Sequence, residues 1–91
     1  MDLSAFPGGQ LIEKGLMDLA AGVETEESIL VLIGAPRLSR LGFDLPEVDC
    51  PAPEHRLYAR LSRDDSDSAH ARYNALIRLL VSFERAMECA R

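Results

Sequence analysis

The carboxy-terminal third of the chain constrains its fold most. Ala69, Tyr73, Leu76, Leu80, Phe83, Met87 and Ala90 follow one another at alternating spacings of four and three residues. That spacing places all of them on one stripe of an α-helix. Ile77, Leu79 and Val81 widen the stripe at its middle. Residues 67–90 are therefore expected to form one amphipathic helix, ~35 Å long at 1.5 Å per residue. Such a flank has to be hidden from water, so the expected protein is all-α, packed on itself or paired with a partner.

The rest of the chain reads as shorter helices. Ile12, Leu16, Leu19, Ala20 and Val23 share one face of an expected helix over 9–21, and Gly22 stands where a left-handed carboxy-terminal cap belongs. Gly15 falls inside that helix, where glycine costs about 1 kcal/mol relative to alanine. It marks either the close approach of a neighbouring helix or a solvent-facing position without a role. A second helix is expected after Thr25, whose hydroxyl can accept an orphan amide of the first turn, with Glu26 and Glu27 complementing the dipole. Its apolar run Ile29–Ile33 fits a buried strand as well as a helix by periodicity alone. The start signal, the continuation through Leu38 and Leu41 and the want of a second strand to pair with favour helix.

Pro36 lacks the amide that the Leu32 carbonyl would accept from, so a kink or break is expected there, with a short helical piece over 37–41. Gly42 reads as its cap, with Phe43 reaching back to Leu38. Pro46, Pro51 and Pro53 punctuate a loop over 42–53. A third helix starts near Pro53 and runs to about Ser62. Asp64, Asp65, Ser66 and Asp67 form a turn before the long helix. The expected architecture is a small four-helix all-α domain over 9–91, its second helix broken or kinked at Pro36, preceded by a flexible amino-terminal arm over 1–8 broken by Pro7, Gly8 and Gly9.

Ninety-one residues suffice for one modest core. Charge is unevenly spread: the net −5 comes from the first thirty residues, which hold six acids and one base, Lys14. An acidic domain repels phosphates at long range, so nucleic-acid binding is disfavoured. No secretory leader is visible, and the longest apolar run is far too short to span a bilayer. A cytoplasmic protein with Cys50 and Cys89 reduced is expected.

The clearest charged constellation is Arg56, Arg60 and Arg63, spaced four and three on one helix face. It reads either as an anion-binding patch, since guanidinium pairs well with phosphate and carboxylate, or as a solvated face neutralised by Glu54, Asp64, Asp65 and Asp67. Cys50, His55, His70 and Cys89 lack the close spacing of a metal site, and no metal or cofactor is expected. Ser68 with His70, or Cys50 with His55, could be drawn as nucleophile and base, but no catalytic or phosphate-binding motif supports either pair. A helix-turn-helix is disfavoured by the long proline-bearing connection.

The expected function is a non-enzymatic protein-interaction or regulatory module whose partner is another protein or a second copy. The stripe is expected to be internal over 73–81 and uncovered from Phe83 to Ala90, which makes Leu80, Phe83, Met87 and Ala90 the expected interface. The alternatives are an anionic ligand or nucleic acid held by Arg56, Arg60 and Arg63, and a small enzyme without a recognisable motif.

Overall fold

A computed structural model describes residues 3–90 of the chain. Among them are five helices and no strand: α1 (Gly9–Ala20), α2 (Glu26–Ile33), α3 (Ala35–Arg40), α4 (Pro53–Asp64) and α5 (Ala69–Ala90). The run Ile29–Ile33 is helical. Ile29, Leu30 and Val31 are buried, as is Ser28 in the turn before them, because α2 packs on α1, α3, α4 and α5. A helix apolar around its whole circumference is stable only at such a central position.

The start of α2 is fixed locally. The Thr25 hydroxyl accepts the Ser28 amide at 3.1 Å, and the Ser28 hydroxyl oxygen accepts the Thr25 amide at 2.8 Å. This reciprocal pair satisfies two donors that the first turn would otherwise leave orphaned. Thr25 also donates to Asp18 of α1 at 2.7 Å, tying the cap to the preceding helix. At the other end of α3, the Phe43 amide donates to the Leu38 carbonyl at 3.1 Å and the Gly42 amide to that of Ser39 at 3.1 Å. That is the double closure expected when a left-handed residue, here Gly42 at φ 103, ends a helix.

Two expectations need correction. The second helix is two separate helices, and the interruption falls at Gly34, one residue before α3 begins. Pro36 sits in the first turn of α3, where its missing amide needs no partner. The missing side chain of Gly34 lets α5 come close: a Cβ there would come 2.8 Å from Leu80 Cδ1 of α5. The arm, over residues 3–8, is laid against the bundle. Leu3 is 2% exposed, and its amide donates to Glu13 at 3.2 Å. Residues 1 and 2 lie outside the described part.

The long helix is continuous over its 22 residues, ~33 Å at 1.5 Å per residue, against a longest molecular dimension of 38 Å. Its apolar stripe faces inward. Ala69, Leu80 and Phe83 are buried, and Tyr73, Leu76, Ile77 and Met87 pack at the margin of the same core. The Phe83 ring has no exposed surface and lies 6.1 Å from Phe6 and 5.9 Å from Phe43, both inclined to it. Tilted and edge-on arrangements at this separation are favourable between aromatic rings. Phe83 thus joins three parts of the chain: the amino-terminal arm, the loop after α3 and α5.

Candidate functional site

The expected arginine patch is assembled on α4, but its neutralising acids come from elsewhere in the chain. Arg56 and Arg60 both pair with Glu24, in the connection between α1 and α2. Arg72 of α5 bridges Asp64 at 2.7 Å and Glu26 of α2 at 3.2 Å. The hydrogen bond from Arg56 holds the Glu24 carboxyl below the usual glutamate range. The acidic start of the chain is thus latched to the basic faces of α4 and α5. Of the four nearby acids expected to neutralise the patch, only Asp64 makes an ion pair, and its partner is Arg72. Arg63 makes no ion pair among the described residues.

The four residues expected at an interface do not lie on one surface. Leu80 is 3% exposed and Phe83 is fully buried, Met87 is half-buried and Ala90 is exposed. The uncovered part of the stripe therefore does not begin at Phe83. The amino-terminal arm and Phe43 supply the cover there, two segments that carry no helical periodicity of their own.

The candidate chemical groups do not converge. The Ser68 hydroxyl lies on the Asp65 carbonyl at 3.5 Å, whereas His70 Nε2 lies 3.1 Å from the Asn74 amide nitrogen. His55 is exposed, and both cysteines are free thiols. Among the described residues no group of three His, Cys, Asp or Glu side chains could hold a metal. The best-formed depression has an apolar floor of Leu19, Ile29 and Leu32, with Val23, Val48, Cys50 and Arg56 at its edge. Its volume of about 210 Å³ is below the ~300–1,000 Å³ of small-molecule sites.

One buried charge stands apart from these surfaces. Glu84 of α5 is 4% exposed and lies 3.8 Å from the Arg37 guanidinium, which itself donates to Glu88 at 2.7 Å. Burial pushes the Glu84 carboxyl above the ordinary glutamate value of 4.5; Arg37 opposes the shift and Glu88 adds to it. The stability contributed by its protonation is fully present below 4.5 and is lost as pH rises through the raised value. Glu84→Gln is expected to be at least as stable as wild type at neutral pH and to flatten this part of the pH dependence, as read by urea unfolding between mildly acidic and neutral pH. A loss above about 1 kcal/mol at neutral pH would show that the Arg37 attraction outweighs desolvation.

Two groups of exposed charges stand outside these pairs. Arg78 and Arg85 are exposed on α5, seven residues apart and so on one side of the helix, with the exposed Ser82 between them. Asp44, Glu47 and Asp49 are exposed in the loop between α3 and α4, next to Val48, which is 45% exposed. None of these five charges makes an ion pair among the described residues. Arg78 and Arg85 lie outside the four–three apolar stripe that dominates this part of the sequence. The available signal was their seven-residue spacing outside it.

Comparison of the chain with protein-family models, with curated proteins and with solved structures returns no match. Among the described residues, no helix is long and apolar enough to cross a membrane.

Proposed function

We propose that the chain is a non-enzymatic protein-interaction module that pairs with a second copy of itself through α5. The face used is the outward one, because the inward stripe is spent on the chain's own core. One observation carries this reading. Arg37, Arg56, Arg60 and Arg72 are neutralised within the fold, whereas Arg78 and Arg85, exposed on one side of α5, make no ion pair among the described residues. Exposed arginine without an internal ion pair suits an interface, since guanidinium contributes both planar packing and directed hydrogen bonds. Met87 and Ala90 extend the same helix beyond Arg85.

The anionic-ligand reading has weaker support. Glu24 already engages Arg56 and Arg60, so an anion arriving there has to displace a carboxylate tied into the fold. Sedimentation velocity in reducing buffer, from micromolar to near-millimolar chain, tests the proposal. The wild type is expected to move from monomer toward dimer as concentration rises. A wild type that stays monomeric throughout overturns it.

A further inference from the structure

We propose that the surface received by the outward face of α5 is the acidic loop segment 44–49 of the second copy. This inference rests on the self-association reading and names the two surfaces that meet. The argument is charge complementarity together with matched spacing.

The chain as a whole carries −5, so two copies repel at long range and can associate only where opposite charges face each other. Among the described residues, the basic positions on α5 without an ion pair are Arg78 and Arg85, and Asp44, Glu47 and Asp49 are exposed acids without one, in the loop that also exposes Val48. Seven residues along a helix separate the two arginines by ~10 Å. Three residues of extended chain, Asp44 to Glu47, span up to ~10–11 Å. Two carboxylates of the segment can therefore reach the two guanidinium groups, with Val48, 45% exposed, beside them.

Every copy carries both surfaces. A twofold arrangement forms the contact twice, loop on helix and helix on loop, and closes without open ends. All five charged positions are exposed, so their substitution leaves the core intact.

The test uses two charge-reversed chains. One carries Arg78→Glu with Arg85→Glu; the other carries Asp44→Lys, Glu47→Lys and Asp49→Lys. Each alone juxtaposes like charges in both contacts, and its dimer dissociation constant is expected to rise about tenfold or more over wild type. An equimolar mixture restores opposite charges in both contacts, and a heterodimer is expected at concentrations where neither variant self-associates. Far-UV circular dichroism checks that each variant keeps the helical content of the wild type.

A dimeric wild type whose two variants dimerise as well as it does, with no preference for the mixture, overturns the docking mode while leaving self-association through another surface. A monomeric wild type overturns both this inference and the reading beneath it. A monomeric wild type that binds a single-stranded oligonucleotide through Arg78 and Arg85 assigns the basic face to nucleic acid instead.

Discussion

Phe83→Ala is expected to cost about 3–5 kcal/mol of folding stability, the range found when a buried aromatic ring is cut back to a methyl group. Small domains have only about 5–15 kcal/mol in total, so the loss is a large fraction of the whole and the urea midpoint should fall sharply. The magnitude follows from position. Phe83 has no exposed surface and is touched by rings from the arm and from the loop after α3. Truncation leaves a void that neither Phe6 nor Phe43 can fill without pulling its own segment inward. Phe83→Glu should be more severe, because it adds an unpaired charge to the same site. Urea unfolding followed by far-UV circular dichroism checks both. A loss below about 1 kcal/mol for Phe83→Ala would place the ring at a surface, where an interface role would return.

Gly15→Ala should destabilise the protein, although alanine normally improves a helix interior by about 1 kcal/mol over glycine. A Cβ on Gly15 would stand 2.4 Å from the Glu27 carbonyl oxygen and 2.5 Å from Val31 Cγ2. The first of these is backbone in the first turn of α2 and cannot rotate away. Relief requires α1 and α2 to separate, and these two helices share the most extensive contact in the fold. Overpacking of this kind costs about 1–3 kcal/mol, and the backbone obstacle argues for the upper end of that range. The sign is the diagnostic feature: thermal unfolding should show a lower midpoint for the variant. An unchanged or raised midpoint would mean that α1 and α2 are not in contact at Gly15.

Periodicity and punctuation made the helices legible. The four–three spacing over 69–90 gave α5 and its inward face, and Thr25, Gly22 and Gly42 marked boundaries through capping chemistry that acts within a few residues. What stayed hidden depended on contacts distant in sequence. Nothing local in Phe6 or Phe43 announces that they close over Phe83, so that part of the stripe looked uncovered. Leu80 and Glu84 lie against Gly34, and that closeness exists only in the folded chain. The latch between Glu24 and Arg56 joins positions 32 apart. Its one sequence trace was the separation of charge between the acidic start and the balanced remainder. The outward arginines of α5 were readable as spacing, but their meaning depended on knowing which other arginines were already paired.

The central claim is that each chain buries the greasy flank of its own α5. A nuclear Overhauser experiment on a mixture of isotope-labelled and unlabelled chains, filtered for contacts between different chains, tests it most directly. Cross-peaks from the Phe83 ring to Phe6 and Phe43 should appear in the unfiltered spectrum and be absent from the filtered one. Their appearance in the filtered spectrum would mean that the ring is covered by a second copy, and would contradict the account.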